Sequence, residues 1–167
     1  MGILSDISSA IAEPLTGVTP EEVEWAYSMG RKYGGVGSAG GEGNKGDAAR
    51  HISLGYLAAL ADERRGYADG WSQNLAQLKE YGQQAFRRRN IDSNMDRYNN
   101  AIGFELQGMA GDSFEDFEAL LDDAMQNTIQ VKSVDDMAGK DFRSLKPVYI
   151  KEGYLLYKGG GKAGPNK

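Results

Sequence analysis

The chain has 167 residues, of which 40% are hydrophobic and 26% charged, so it can bury the core of one domain and is too apolar to be wholly disordered. It contains no cysteine, which excludes disulfides, thiolate chemistry and cysteine-ligated zinc. The net charge of −5, with dispersed lysines and arginines, is not typical of a nucleic-acid-binding domain, and no apolar run approaches the roughly 20 residues that cross a bilayer.

Residues 1–17 are predicted to form an amphipathic segment that ends near Pro14. Its apolar residues recur at helical spacing: Ile3, Leu4, Ile7 and Ile11. Such a segment can bind a membrane surface through residues 3–11 or dock in a groove of a partner, and it can equally pack on its own domain. The sequence leaves these alternatives open.

The middle of the chain, residues 18–157, is predicted to form a single compact, mainly α-helical bundle of about five helices. The periodicity of apolar residues predicts helices at 19–34, 47–62, 71–89, 93–108 and from 113 to about 125. Thr19 and Glu22 have the spacing of a capping box at the start of the first helix, and Ser93 and Asp96 have it at the start of the fourth.

Glycine and β-forming residues mark the rest of the domain. Eight glycines between Gly30 and Gly46 predict a loop, which lacks the spacing of a phosphate-binding loop. The β-rich runs 148–150 and 154–157, joined by Lys-Glu-Gly, predict a small C-terminal β-hairpin packed on the helices. Residues 158–167 read as a flexible basic tail.

Two pairs of polar residues stand out on the predicted helices. Asp47 and the chain's single histidine, His51, lie four positions apart and share a helix face, with Arg50 beside them. Asp96 and Asn100 have the same spacing on the fourth predicted helix. We expect the two pairs to face each other across the bundle, where a carboxylate can set the tautomer of an imidazole, raise its basicity or share a metal with it.

Structural roles for the same residues remain open at this stage. Asp47 follows a glycine and could cap a helix, and His51 could be a core histidine whose nitrogens are satisfied. Asn99 and Asn100 could mark a turn or the end of a helix. A buried polar network of this kind either specifies a fold or forms a site.

Two motifs, GNKGDAARHISLGYLAAL and NMDRYNNAIG, resemble an uncharacterised family of small helical domains in bacteria and phages, whose pattern is GDAxRHxxWNA followed by MDxYNNxxGR. The resemblance covers about residues 43 to 105. The matching residues are Gly46, Asp47, Ala48, Arg50 and His51 in the first motif, and Met95, Asp96, Tyr98, Asn99, Asn100 and Gly103 in the second. The chain departs from the pattern at Leu54, Gly55 and Phe104. The family has no settled reaction.

Two looser likenesses bear on function. The start MGILSDISSAIAEPL is similar to the starts of several phage virion and ejection proteins. The layout of a glycine-rich loop, a helical histidine and an aspartate on a second helix is similar to phospholipase A2, where the loop and the residue after the histidine hold calcium. Here Ile52 occupies that position. The second likeness concerns layout alone.

The sequence therefore supports two main hypotheses. The first is a phage virion protein, structural or involved in ejection and host entry, which binds other virion proteins or the host envelope and is located in the virion. The second is a hydrolase acting on peptidoglycan or phospholipid, with a catalytic site made of the following residues: His51, Asp47, Arg50, Asp96 and Asn100. A toxin or inhibitor that binds a host protein is a third class. Any cofactor, metal and oligomeric state remain unknown.

Overall fold

The computed structural model describes residues 18–34, 44–66, 91–132, 135–137, 140–150, 154–155 and 164–165. These contain four α-helices: α1 (Pro20–Tyr33), α2 (Lys45–Arg65), α3 (Ile91–Ala110) and α4 (Phe114–Gln126). The mainly helical class is confirmed, with one helix fewer than the sequence predicts. The predicted helix 71–89, the segment 1–17 and most of the tail lie outside the described residues. None of the described helices has the length and apolar character needed to span a membrane.

Helix α1 begins with the predicted capping box. The Thr19 hydroxyl accepts a hydrogen bond from the Glu22 N–H (3.2 Å), and the Glu22 carboxylate accepts one from the Thr19 N–H (2.8 Å). Arg64, near the end of α2, donates two further hydrogen bonds to the same carboxylate, at 2.8 and 3.1 Å. One glutamate thus caps α1 and joins it to α2.

Helix α2 begins before the predicted position, so Asp47 is not its N-cap. The cap is Asn44, whose side-chain oxygen accepts a hydrogen bond from the Asp47 N–H at 2.9 Å. Asparagine and aspartate cap helices about equally well, so the two residue types cannot be ranked from sequence. The carboxylate of Asp47 lies in the first turn instead, where the positive end of the helix dipole stabilises an anion.

Helix α3 also differs from its predicted bounds. The predicted capping box of Ser93 and Asp96 is wrong, because α3 begins before Ser93 and both residues lie within the helix. The helix continues past Gly108 to Ala110, and Gly111 follows with a left-handed φ of 61°. Asp96 is consequently one turn into α3, and its carboxylate is available to another helix.

The main core surrounds α2, whose residues from Ile52 to Asp62 are all buried. Four aromatic rings pack together where α1, α2 and α4 meet, with centroids between 4.2 and 5.9 Å apart in the contacting pairs: Trp25, Tyr56, Phe114 and Phe117. Edge-to-face and tilted arrangements like these are favourable for aromatic pairs. The broad apolar surface predicted for this helix therefore reflects its central position.

The predicted pairing of residues 148–150 with 154–157 is wrong. Strand β2 (Val148–Ile150) instead pairs in parallel with β1 (Ile129–Val131), with Ile129 opposite Val148. Strand β3 (Tyr154–Leu155) pairs antiparallel with β4 (Gly164–Pro165). The parallel pairing buries apolar side chains. Val148, Val131 and Ile150 form a second apolar cluster with Met95 of α3, and a local hairpin would leave this cluster uncovered.

Helices α2 and α3 cross at two glycines. A Cβ atom on Gly55 would lie 2.2 Å from the backbone oxygen of Asn100, and one on Gly103 would lie 2.0 Å from that of Ile52. Both distances are far shorter than any van der Waals contact. Only glycine at these positions permits the observed approach of the two backbones.

We predict that Gly103→Ala destabilises the protein by about 3 kcal/mol, because the new methyl group must push α3 away from α2 and loosen a packed core. Urea denaturation followed by circular dichroism measures this free energy of unfolding. The matched control is Gly108→Ala, on the same helix and with nothing within 4 Å of the added Cβ. We expect that control to be neutral or stabilising by up to about 1 kcal/mol. Equal stability of the two variants would contradict the tight crossing.

Candidate functional site

The crossing of α2 and α3 brings the five predicted site residues together. Helix α2 supplies Asp47, Arg50 and His51, and α3 supplies Asp96 and Asn100. His51 is in contact with residues of both helices. We call these five residues the polar cluster.

His51 has partners at both ring nitrogens. Arg50 Nη2 donates to Nε2 at 2.8 Å, and Nδ1 lies 3.3 Å from the Asn100 side-chain oxygen. We assign the proton to Nδ1, because this tautomer lets His51 donate to Asn100 and accept from Arg50. Asp96 Oδ1 lies 3.1 Å from the same Nε2, and Asp47 Oδ1 lies 3.8 Å from it.

Arg50 is held between charged and aromatic groups. Its Nη2 donates to Asp47 Oδ1, and its guanidinium carbon lies 5.5 Å from the centre of the Tyr27 ring on α1. Burial lowers the pKa of Arg50, but the carboxylates of Asp47 and Asp96 outweigh this and raise it above its ordinary value. The guanidinium is therefore a permanent positive charge inside the cluster.

His51 is neutral at physiological pH. Its burial, followed by the positive charge of Arg50, lowers the pKa of the imidazole to about 4, although Asp47 and the hydrogen bond to Asn100 act in the opposite direction. A protonated ring would be a cation with little water around it and a guanidinium 2.8 Å away. The lone pair on Nε2 is consequently present at all pH values near neutrality.

One side of the cluster is accessible to solvent. The exposed fractions of the side chains are 22% for Arg50, 16% for Asp96 and 14% for His51, whereas Asp47 is only 5% exposed. His51 is thus neither sealed in the core nor fully exposed. The cluster is therefore partly exposed, although Asp96 Oδ1, the oxygen that lies closest to His51 Nε2, is itself buried.

Asn99, next to the cluster, has a structural role that the sequence did not indicate. Its side-chain NH₂ donates to the Val148 carbonyl (2.8 Å), and its oxygen accepts from the Val148 N–H (3.0 Å). Asn99 is fully buried in the middle of α3, so the prediction that Asn99 and Asn100 mark a turn or helix end is wrong. The two neighbouring asparagines therefore have different partners: Asn99 binds strand β2, and Asn100 binds His51.

No family model, curated protein or solved structure matches the chain. The resemblance of the two motifs to a bacterial and phage family therefore stays a prediction. The geometry of the polar cluster is the observation from which its chemistry can be inferred.

That geometry permits two kinds of chemistry. A neutral imidazole with a lone pair beside a guanidinium can accept a proton from water while the guanidinium stabilises a developing anion. The same lone pair and two carboxylates can bind a cation, since ligand atoms of Asp47, His51 and Asp96 lie within 4.8 Å of one another. Both uses require the neutral form of His51.

We predict that the imidazole of His51 titrates near pH 4 in the folded, metal-free protein. Because the pKa is lower folded than unfolded, the unfolded chain binds more protons between about pH 6.5 and 4. Stability is therefore unaffected above pH 6.5 and falls by up to about 3 kcal/mol as the pH drops through this window. An NMR titration of the ring protons follows His51 without overlap, because the chain has one histidine. A midpoint above 6 would contradict the burial of the ring beside Arg50.

Proposed function

We propose that the polar cluster is the active site of a hydrolase that cleaves an acyl bond, ester or amide, in a cell-envelope component. The observation that supports this proposal is the neutral imidazole of His51 at the solvent-accessible edge of the cluster, in hydrogen-bond contact with the Arg50 guanidinium (2.8 Å). A basic nitrogen beside a fixed positive charge serves both halves of acyl hydrolysis: activation of water and stabilisation of the oxyanion.

Each residue of the cluster has a role in this reaction. His51 provides the lone pair that activates water, as a general base or as the ligand of an ion that binds the water. Arg50 stabilises the negative charge on the carbonyl oxygen, and Asp47 holds the guanidinium in place through their ion pair. Asn100 orients the imidazole from the Nδ1 side. Asp96 Oδ1 lies 3.1 Å from Nε2, the same ring nitrogen to which Arg50 donates.

The charge of the cluster favours acyl bonds over glycosidic bonds. A glycosidase requires a protonated carboxyl group that gives its proton to the leaving oxygen. Asp47 Oδ1 accepts a hydrogen bond from Arg50 Nη2, so this oxygen already faces a donor. Peptide or amide bonds of peptidoglycan and ester bonds of phospholipids are therefore the substrates to test.

We predict that the purified protein releases either new amino groups from cell-wall sacculi or fatty acids from phospholipid vesicles, and that His51→Gln lowers the rate by about 10²- to 10⁴-fold. Glutamine retains polar hydrogen bonding but has no basic nitrogen. The two product assays, run side by side, identify the class of bond that is cleaved.

The matched control for this experiment is Glu63→Gln. Glu63 is an exposed residue of α2 outside the cluster, so its loss removes a carboxylate from the same helix without touching His51. We expect wild-type rates for this control. If wild type and His51→Gln release equal amounts of both products, the hydrolase proposal is wrong.

A second candidate function is the phage virion role, structural or in ejection and host entry. It is favoured by the fact that both ring nitrogens of His51 have partners and that the cluster links α2 to α3, as a network that only stabilises the fold would do. In this role the protein binds other virion proteins or the host envelope, and the cluster does no chemistry.

Quantitative mass spectrometry of purified particles tests the second candidate. We expect the chain at a fixed number of copies per particle that is unchanged by further purification. Its absence, or a copy number that declines with each purification step, would exclude a virion component. The hydrolysis assays decide separately whether the cluster is catalytic.

A further inference from the structure

We propose that Asp47, His51 and Asp96 bind one divalent transition-metal ion, which takes the position now occupied by the guanidinium of Arg50. The inference rests on the proposed hydrolase site and deepens it, because it names the ion that would activate the water; with the ion bound, His51 and Asp47 would contact the ion instead of Arg50. Metal binding itself requires no catalysis, so the two proposals can fail separately.

The spacing of the three ligand atoms suits such an ion. Ligands of a tetrahedral zinc site, each about 2.0–2.2 Å from the metal, lie roughly 3.4 Å apart. His51 Nε2 is 3.1 Å from Asp96 Oδ1 and 3.8 Å from Asp47 Oδ1, which brackets this separation. Helices α2 and α3 thus bring one imidazole nitrogen and two carboxyl oxygens together, and ligand atoms of the three residues all lie within 4.8 Å of one another.

The Nε2 atom of His51 is close to a donor and to a carboxyl oxygen at once. Arg50 Nη2 donates to the lone pair of this nitrogen at 2.8 Å, and Asp96 Oδ1 lies 3.1 Å from it. A metal ion would bind the same lone pair together with oxygens of Asp96 and Asp47.

Arg50 already occupies the position of a cation. Its Nη2 contacts both Asp47 Oδ1 and His51 Nε2, two of the three proposed ligands. The Nε atom of the same guanidinium is buried and has no hydrogen-bond partner within the described part of the chain. The guanidinium of Arg50 therefore lies among the proposed ligands with one N–H group that has no partner there. Because 22% of the Arg50 side chain is exposed, the guanidinium can move towards solvent when the ion binds.

The ligand set indicates the class of metal. An imidazole nitrogen with two carboxylates suits zinc, manganese, iron or cobalt, whereas calcium and magnesium prefer oxygen ligands alone. Three protein ligands leave a coordination position for water, as in catalytic zinc sites. The side chains of Arg50, Asp96 and His51 are 22%, 16% and 14% exposed, so the proposed ion would lie near the surface.

The test is isothermal titration calorimetry of the full chain, free of a histidine tag, with Zn²⁺ and with Co²⁺. We expect one ion per chain, a visible absorption band for bound Co²⁺ and a shift of the single histidine's ring signals in NMR with Zn²⁺. Mg²⁺ and Ca²⁺ should bind far more weakly. The proposal is overturned if neither Zn²⁺ nor Co²⁺ binds at one per chain, or if the histidine signals do not move.

Variants locate the ion. Asp96→Asn and His51→Gln should each weaken binding by roughly 100-fold or more, whereas the control Glu63→Gln should leave it unchanged. Arg50→Gln should tighten binding, because the guanidinium no longer competes for the same ligands. Retained affinity in both ligand variants, with their helical circular dichroism intact, would overturn the proposal.

Metal binding without hydrolysis would reject the hydrolase alone. Hydrolysis in excess EDTA by a chain that binds no metal would reject the metal site alone.

Discussion

Helices α2 and α3 approach so closely at Gly55 and Gly103 that neither residue has room for a Cβ atom. This approach sets the distance between the faces that carry the polar cluster. It places His51 within 3.1 Å of Asp96 and 3.3 Å of Asn100, although these residues are far apart in sequence. A wider crossing would leave a histidine and an aspartate each buried without the other. The geometry of the polar cluster therefore depends on two glycines that carry no side chain themselves.

The cluster combines strong charges with little water. It contains the guanidinium of Arg50 and the carboxyl groups of Asp47 and Asp96, and its imidazole, His51, is kept neutral by burial and by Arg50. The neutral ring then meets a donor and an acceptor at the same nitrogen. This arrangement at Nε2 is the feature on which the proposed metal site rests, whereas the hydrogen bonds at both ring nitrogens are also what a structural network would show.

Local patterns predicted the helices and much of the cluster. The capping residue Thr19 marks a real helix start, and the helix predicted from residue 113 is also present, with Ser113 as its N-cap. The four-residue spacings of Asp47 with His51 and of Asp96 with Asn100 place each pair on one helix face. One local signal failed, since Ser93 and Asp96 lie inside α3, and the remaining failures concern contacts between distant parts of the sequence. The parallel pairing of β1 with β2 joins residues that are 19 positions apart in sequence. A pairing of this kind has no turn motif from which it could be predicted. The role of Asn99 depends on a strand about 50 residues away.

The two hydrogen bonds between Asn99 and Val148 make a rigid link from the small parallel sheet to the helix that carries Asp96 and Asn100. Because amide and peptide group are paired at both ends, strand β2 cannot slide along α3 without breaking both bonds. The position of strand β2 is therefore coupled to that of α3 at Asn99, the residue next to Asn100, so a variant that loosens this strand should also change the distance between Asn100 and His51.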